Sequence, residues 1–585
     1  MLAGENTCPQ DTMEIASSCQ LQHLRPQTSM HQFSSVLVSL QNLPSHIAMK
    51  LPISSFEVLR IIMVKVNHFQ ELVSTRLGSL SKCTADLFRR SYLLLLFQSN
   101  PLIVQIIYFM LLPLAGFLAL KNLKPLNKPT TRNLDLMFTS VSTVTVSSMA
   151  TVEMEDFSGQ QLWILIILML FGGDMFTKML GLHLKNARGN TGDTLPKRSS
   201  FISRDIETCD VFNNNSQNNM EAIQSEATIP HNKVQESKGL NLNSCNILAH
   251  VVTGYFIAAI VCGSVVITIY LLIDSDARQL LKSKDIKICT FSVFTAVSSF
   301  ANCGFTPVND NMAIFRNNPT LLLLVTPQIL IGNTLFPPLL RLSIWALGKV
   351  SRREEYAYIL QHPKEIGYRH LRPYKNSVHL VLTGVLIILL QAIFLCYFEW
   401  DSKALEGMKW FQKLVGSLFQ SANSRHAGET VINISTLSPP ILVIFAVVMY
   451  LPSDTSFFPT YGDRHILTNK KENPNSRAMW KKFIITKPAC LAILTILACI
   501  TERKSMSADP LNFSIFSVVF EVISAYGNVG YSLGYSCDKL LKPDPRCKDF
   551  SYGFVGRWTD KGKVIIIVVM FLGRFKTFTL NGRKP

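Results

Sequence analysis

Four short stretches of small and polar residues recur in this chain of 585 residues, and their composition suits contact with a bare cation. A cation without its water shell needs a ring of oxygen atoms, which backbone carbonyls supply most compactly. Carbonyls that point inward in succession require backbone torsions that glycine tolerates. The stretches, here named loops 1 to 4, read Thr145-Val146-Ser147-Ser148-Met149, Ala301-Asn302-Cys303-Gly304-Phe305, Ser424-Arg425-His426-Ala427-Gly428-Glu429 and Gly527-Asn528-Val529-Gly530-Tyr531.

Glycine occupies the corresponding position in three of these loops, and Ser148 occupies it in loop 1. One Asn-X-Gly stretch alone is equally typical of an ordinary turn. Four such stretches in register, each between long apolar segments, instead favour a path for cations. The transported ion, Na+ or K+, is then held transiently by the carbonyl oxygens and is a substrate, so no cofactor is expected.

Long apolar segments flank every loop, and a membrane span needs about 20 apolar residues. Eight segments qualify or nearly qualify, although the sixth and the eighth are short or interrupted. They are Leu102–Leu120, Gln161–Leu182, Ile247–Ile273, Thr320–Leu347, Val378–Phe398, Leu437–Leu451, Phe483–Ile500 and Val564–Leu580.

A moderately apolar stretch, too short to cross a bilayer, precedes each loop. These stretches are Leu134–Val146, Thr290–Ala301, Trp410–Ala422 and Phe513–Ala525. Irregular backbone at membrane depth persists only where protein buries it or water solvates it. The pattern predicts an all-α integral membrane protein, with eight transmembrane helices forming four helix–pore loop–helix repeats around one central pore.

The composition excludes several other classes of protein. Only 16% of the residues are charged and 48% are hydrophobic, whereas soluble domains carry about 25% charged residues. The net charge of +18 does not indicate nucleic-acid binding, since multispanning proteins concentrate Lys and Arg in cytoplasmic loops. The sequence lacks a Walker A loop, an HExxH motif and a GxSxG motif, so neither an ATP-driven pump nor a familiar hydrolase is expected.

Hydropathy and charge divide the chain into repeats and linkers. Basic clusters place the linkers in the cytoplasm, and an even number of spans then places both termini there too; Lys124, Lys128 and Arg132 would lie outside, against that rule. The predicted parts are a poorly ordered cytoplasmic extension (1–95), repeat 1 (96–185), a cytoplasmic loop (186–246), repeat 2 (247–349), a linker (350–376), repeat 3 (377–457), a linker (458–482) and repeat 4 with a short C-terminus (483–585).

The segments around the loops resemble the plant HKT transporters of the Trk/Ktr/HKT superfamily, and the resemblance runs from about Leu102 to the C-terminus. The matching segments are Phe138–Phe157 (FTSVSTVTVSSMATVEMEDF), Phe291–Met312 (FSVFTAVSSFANCGFTPVNDNM), Gly416–Pro439 (GSLFQSANSRHAGETVINISTLSP), Glu521–Cys537 (EVISAYGNVGYSLGYSC) and Gly573–Phe578 (GRFKTF). The resemblance implies passive transport of monovalent cations across the plasma membrane. It also implies a homodimer in which each chain holds its own pore.

The resemblance further implies a selectivity filter. Its four positions are Ser148, Gly304, Gly428 and Gly530, and its flanking residues are Val146, Ser147, Asn302, Cys303, Ala427, Asn528 and Val529. In this family a serine at the first position marks the mainly Na+-selective subfamily, and a glycine marks the one that also moves K+. The neighbouring Ser147 is assigned no role in selectivity.

A physical reason for Na+ preference is that a serine side chain restricts one quarter of the ring, while K+ needs a wider and fully dehydrated cage. Two alternatives stay open. The first is a Na+/K+ symporter or another K+-permeable transporter. The second belongs to a different class: a membrane paralogue that does not conduct, or a partner subunit.

Several charged residues lie close to the predicted path, and ionisable groups inside a membrane are functional candidates. Glu153 and Glu155, Asp310 and Glu429 are candidates for the outer mouth; the alternatives are a solvated rim or a salt bridge to Arg425. Asp174 is expected to pair with a basic residue across the bundle, in a structural role.

Arg574 and Lys576 lie in the last span, near its cytoplasmic end. Either they extend to the membrane interface, or at least one projects beneath the filter, as the resemblance suggests. Cys537 and Cys547 flank a polar loop that is placed outside the cell, and they form a candidate disulfide.

Overall fold

The computed structural model describes residues 101–126, 131–192, 231–368, 370–451, 487–540, 547, 549–550 and 553–579. All of these lie in one of the two compact units of the chain, Leu94–Pro585. The predicted extension 1–95 and the linker 458–482 lie outside the described residues. Within them the chain is helical and forms no β-strand, apart from an isolated bridge between Tyr535 and Phe550.

Eighteen α-helices make up the described part of the chain. They are α1 (Pro101–Asn122), α2 (Asn133–Val144), α3 (Gly159–Gly172), α4 (Asp174–Gly192), α5 (His231–Ile273), α6 (Ser275–Ser283), α7 (Ile288–Ala301), α8 (Pro319–Ile331), α9 (Phe336–Ser351), α10 (Glu354–Gln361), α11 (Pro363–Ile366), α12 (Tyr374–Glu399), α13 (Trp410–Asn423), α14 (Pro439–Tyr450), α15 (Lys487–Thr501), α16 (Arg503–Ala508), α17 (Ile515–Gly527) and α18 (Asp560–Thr579).

Three of these helices, α1, α5 and α12, are long and apolar enough to cross a bilayer. Two bent pairs raise the number to five if each pair is one span: α3 with α4, bent by 54°, and α8 with α9, bent by 81°. The other predicted spans coincide with α14, α15 and α18. The long helices expose large apolar side chains, such as Leu111 at 59% and Val261 at 54%, which suits a lipid environment.

The four short apolar stretches that precede the loops are helices: α2, α7, α13 and α17. The hydropathy boundaries elsewhere are less accurate. The predicted loop 186–246 is helical at both ends, because α4 continues to Gly192 and α5 begins at His231. The predicted linker 350–376 contains α10 and α11, whose Ile359 and Ile366 are buried.

Glycines at the end of α3, directly after α8 and within α18 allow the short helices to approach closely. A Cβ on Gly172 would lie 2.1 Å from the carbonyl oxygen of Val144, which is the last residue of α2. Likewise a Cβ on Gly332 would lie 1.9 Å from Phe300 O, and one on Gly573 would lie 2.3 Å from Tyr526 O. Each of these carbonyls lies two residues before a left-handed residue of the loop that follows. The contacts therefore fix the depth of loops 1, 2 and 4 against the neighbouring helices.

Buried carboxylates join the helices on either side of loops 3 and 4. Glu399, at the end of α12, accepts a hydrogen bond of 2.7 Å from the amide of Ser438, just before α14. Glu502 accepts hydrogen bonds from the amide of Thr559 at 3.0 Å and from its hydroxyl at 2.6 Å, just before α18. Both carboxylates are at most 1% exposed. They satisfy donors at helix starts, which otherwise lack partners.

Candidate functional site

Loops 1, 2 and 4 turn in the same way, with a residue in the left-handed region two positions before Ser148, Gly304 and Gly530. Val146, Asn302 and Asn528 have φ of +51°, +57° and +55°. In each case the amide donates a hydrogen bond of 3.2 Å to a carbonyl three residues earlier. Such torsions are uncommon for residues other than glycine, and least common for a β-branched residue such as Val146. The loops therefore turn away from their helices at equivalent points.

Ser148, Gly304, Gly428 and Gly530, here named the ring positions, also have positive φ: +52°, +89°, +76° and +97°. Each glycine packs directly on the next loop. A Cβ on Gly304 would lie 1.6 Å from Ala427 O, and one on Gly428 would lie 1.7 Å from Val529 O. A Cβ on Gly530 would lie 2.3 Å from the Cβ of Ser148.

The ring positions thus follow one another around a closed path, because loop 4 returns to loop 1. The Cys303 thiol lies within hydrogen-bonding reach of the Ser148 backbone and joins loops 1 and 2. Most of the predicted flanking residues are buried beside the ring positions: Ser147, Cys303 and Ala427 are fully buried and Val529 is 2% exposed. The structure therefore brings all the predicted filter residues together.

Side chains of the short helices hold the loop backbone, and they are not among the predicted site residues. Ser298 Oγ accepts from the amide of Gly304 at 3.0 Å, and Ser524 Oγ accepts from the amide of Gly530 at 3.1 Å. Both serines lie six residues before their ring position, and so does Ser142 in loop 1. This shared spacing was the available signal. Ser142 Oγ, however, is buried without a hydrogen-bond partner, so loop 1 departs from this pattern.

Two further side chains, from α13 and α17, anchor the chain beyond loops 3 and 4. Gln420 Oε1 accepts from the amides of Val431 at 3.0 Å and Ile432 at 3.3 Å. Glu521 Oε1 accepts from the amide of Leu533 at 3.0 Å. Both side chains are fully buried. They satisfy backbone groups that have no helical partner.

A cavity of about 410 Å³ lies against the ring, and Ser148, Gly428 and Gly530 are part of its lining. The rest of its lining is mixed: apolar residues such as Phe305 and Ile432 alternate with polar ones, among them Asp310 and the basic Arg316 and Lys403. Asp310 and Glu155 share Lys284, whose Nζ lies 3.4 Å and 3.0 Å from their carboxylates. Burial lowers the pKa of Lys284, but these two carboxylates raise it, and the pKa ends above its ordinary value. Lys284 is therefore a cation that offsets part of the acidic charge here.

The other predicted mouth residues are placed differently. Glu429 is fully buried and does not line the cavity. Ser299 of α7 donates a hydrogen bond of 2.6 Å to its Oε1. The structure describes both Arg425 and Glu429 and contains no ion pair between them. Glu153 is 9% exposed and also lies outside the cavity lining.

Arg574 of α18 contacts the break between α3 and α4. Its guanidinium donates to the carbonyl of Gly172, lies 3.7 Å from Asp174 Oδ1 and packs over the Phe109 ring at 5.2 Å. The side chain is only 5% exposed. Asp174 thus has the basic partner across the bundle that the sequence predicts, and it contacts Lys178 as well. The side chain of Lys576 lies outside the described residues. The predicted disulfide is present: it joins Cys537 to Cys547, whose Cα atoms are 5.8 Å apart.

Ion pairs connect the last helix to the first short helix, α2. Lys563 Nζ lies 2.7 Å from Asp135 Oδ1, and these side chains are 3% and 11% exposed. Arg132 and Asp560 form a second pair at 2.5 Å, with side chains that are 61% and 56% exposed. A buried pair loses much more than an exposed pair when one partner is removed, because the other charge is left without compensation.

We expect Lys563→Met to destabilise the protein by about 3 kcal/mol or more, because it leaves Asp135 buried without its cation. Arg132→Gln is the matched control, and the loss of its exposed pair should cost less than about 1 kcal/mol. Thermal unfolding of the detergent-solubilised variants measures both. Equal shifts of the melting temperature in the two variants would contradict this assignment.

Comparison with known proteins identifies the family. Residues 226–455 and 466–581 match the family model TrkH, described as cation transport protein. The chain is 59% identical over 552 residues to a cation transporter, HKT1;1, from Oryza sativa subsp. japonica, with 94% of this chain and 100% of that protein covered. It is 44% identical over 475 residues to a sodium transporter, HKT1, from Arabidopsis thaliana, with 79% and 90% covered.

Among solved structures, the crystal structure of the potassium transporter TrkH from Vibrio parahaemolyticus matches with a TM-score of 0.44 and 14% identity, covering 83% of this chain and 84% of that one. The described residues contain no group of three or more His, Cys, Asp or Glu side chains that could hold a metal ion. The family match spans more than half of the chain, and the HKT relatives match over most of their length. The chain belongs to the TrkH family of cation transport proteins, among the plant HKT transporters.

Proposed function

We propose that this chain is a passive, channel-like transporter of monovalent cations that selects Na+ through Ser148, Gly304, Gly428 and Gly530. Eight transmembrane helices in four repeats surround one pore in the plasma membrane, with both termini in the cytoplasm. Two chains form a homodimer, each with its own pore. One observation carries the proposal: the four loops contact one another in a closed ring. All four ring positions have positive φ, and only Ser148 has a side chain.

The chemistry of the ring supports cation transport. Each ring position follows a short helix whose end is held by buried hydrogen bonds, so the loop carbonyls have fixed positions. Fixed carbonyl oxygens replace the water shell of a permeating cation. The adjoining cavity of about 410 Å³ can hold a hydrated ion, and its lining includes the carboxylate of Asp310 together with the basic residues Arg316 and Lys403.

The preference for Na+ follows from the single asymmetry of the ring. Ser148 has the smallest φ of the four ring positions, +52°, and its Cβ occupies the space against Gly530. A side chain at this point limits how far the first quarter of the ring can open. K+ is the larger ion, so a constricted cage costs it more than it costs Na+.

Whole-cell currents in a heterologous cell test the proposal, with Na+ and K+ exchanged in the bath and surface expression measured in parallel. A reversal potential that follows the Na+ gradient is the expected result. One that follows only K+ would favour a K+ transporter and contradict the selectivity proposed here. An absence of current at normal surface expression would instead identify a paralogue or subunit that does not conduct.

A further inference from the structure

A chain of hydrogen bonds crosses from loop 4 to loop 1. Asn528 Nδ2 donates to Ser147 Oγ at 2.7 Å, and Ser147 Oγ lies 2.8 Å from Thr145 Oγ1. Thr145 in turn donates to the carbonyl of Val141, on α2, at 2.8 Å. Since Thr145 uses its hydrogen on Val141, its oxygen accepts from Ser147. Each hydroxyl therefore donates once and accepts once, and the chain is fully satisfied.

Asn528 also ties this chain of bonds to the last helix. Its Nδ2 lies 3.1 Å from the carbonyl of Met570, on α18. A Cβ on Gly573 would lie 2.8 Å from Asn528 Oδ1, so α18 packs closely on the other side of the amide. Contacts with α18 therefore hold the Asn528 side chain in place, and its amide is a fixed hydrogen-bond donor to loop 1.

Loop 2 provides the comparison, because Asn302 occupies the same place there as Asn528 does in loop 4. Its Nδ2 donates to Ser299 O at 2.9 Å and to Ile329 O at 3.1 Å, on the adjoining α7 and α8. The next loop has Ala427 before its ring position, which offers no hydroxyl. Of the two equivalent asparagines, only Asn528 therefore bonds to a side chain of the next loop.

Loop 1 also lacks a restraint that loops 2 and 4 possess. Serine hydroxyls hold the amides of Gly304 and Gly530, but the equivalent Ser142 is without a partner. Ser147 precedes the ring position Ser148 directly, and it is fully buried. Its bond to Asn528 thus restrains loop 1 at the residue next to the ring position.

We propose that Ser147 and Asn528 are positioning residues for Ser148, and that Na+ selectivity depends on their hydrogen bond as well as on the Ser148 side chain. The inference rests on the proposed function of the ring. Ser147 then has a role in selectivity, although the resemblance implies none for it. Without the bond, the first quarter of the ring widens and accommodates K+ more readily.

The first test compares Ser147→Ala with Ser142→Ala, two buried serines of the same segment that differ in whether the hydroxyl has a partner. Reversal potentials under Na+/K+ exchange give the permeability ratio, independently of the number of transporters at the surface. Ser147→Ala should raise the K+/Na+ permeability ratio about fivefold, the size expected for one buried hydrogen bond. Ser142→Ala should leave the ratio unchanged.

The second test approaches the bond from loop 4. Asn528→Gly keeps a residue that tolerates positive φ but removes the donor, and Asn302→Gly is the matched variant in loop 2. Asn528→Gly should shift the ratio as Ser147→Ala does, and the double variant should shift it no further, because both changes remove the same bond between loops 1 and 4. The bonds of Asn528 to main-chain carbonyls are lost as well, and Asn302→Gly controls for such a loss. Asn302→Gly should shift it less. If Ser147→Ala does not reach the cell surface, Asn528→Gly alone tests the role of the bond.

Ser148→Gly, measured in parallel, separates the inference from the proposed function. A shift in Ser148→Gly with none in Ser147→Ala or Asn528→Gly overturns the inference and leaves the filter proposal intact. No shift in any of these variants overturns both. Equal shifts in Ser147→Ala and Ser142→Ala also overturn the inference, because the effect would then come from lost packing in this segment.

Discussion

Gly304→Ala is expected to reduce cation transport strongly while the protein still reaches the membrane. The new Cβ would lie 1.6 Å from Ala427 O, and the residue would have to keep a φ of +89°. Such a torsion alone costs a residue with a side chain about 1–3 kcal/mol. Backbone, rather than a flexible side chain, occupies the space, so loop 2 must separate from loop 3. We expect currents at least about tenfold lower at equal surface expression, since 1.4 kcal/mol is a factor of ten.

Gly254→Ala is the matched control for this substitution. Gly254 lies within α5, and a Cβ there would meet no atom within 4 Å. Alanine favours a helix by about 1 kcal/mol over glycine, so this variant should conduct like the unaltered protein. Surface biotinylation and whole-cell current on the same cells separate loss of transport from loss of expression. Normal currents in Gly304→Ala would show that loops 2 and 3 are not part of the path.

The ring positions could be predicted from the sequence because their signals are local. Each loop combines a short apolar stretch with a small residue shortly after it, and α2, α7, α13 and α17 form where those stretches predict. Hydropathy is less informative about helix ends, because it reports contact with lipid and not the helix itself. The start of α5 is an example: the helix begins at His231, whereas hydropathy predicts an apolar segment only from Ile247.

The contacts between loops could not be predicted, because they join residues far apart in the sequence. Ser299 and Glu429 are 130 residues apart, and Ser147 and Asn528 are 381 residues apart. A carboxylate that follows a filter glycine is typical of a charged pore mouth, and Glu429 was interpreted so. In the structure Glu429 is fully buried and accepts a hydrogen bond from Ser299, which belongs to another part of the chain. Asp174 was correctly expected to pair across the bundle, but only the packing of α18 identifies Arg574 as its partner.

Ser148→Gly is expected to raise the K+/Na+ permeability ratio about tenfold, equivalent to about 1.4 kcal/mol of relative ion stabilisation. Removal of the side chain opens the space against Gly530, where the Cβ of Ser148 now lies. It also frees the first ring position to adopt the larger φ of the three glycines, which lies between +76° and +97°. The ring then has four equivalent quarters and fits the larger ion better. The reversal potential with Na+ on one side and K+ on the other measures this ratio.

Ser148→Ala separates the two ways in which serine could restrict the ring. Alanine keeps the Cβ, and with it the limit on φ, but it removes the hydroxyl. If the backbone restriction selects Na+, Ser148→Ala should remain Na+-selective while Ser148→Gly does not. If the two variants gain K+ permeability equally, the hydroxyl carries the selectivity and the Cβ contributes little. An unchanged permeability ratio in Ser148→Gly would contradict a role of Ser148 in ion selectivity. The asymmetry of the ring would then not determine which ion passes.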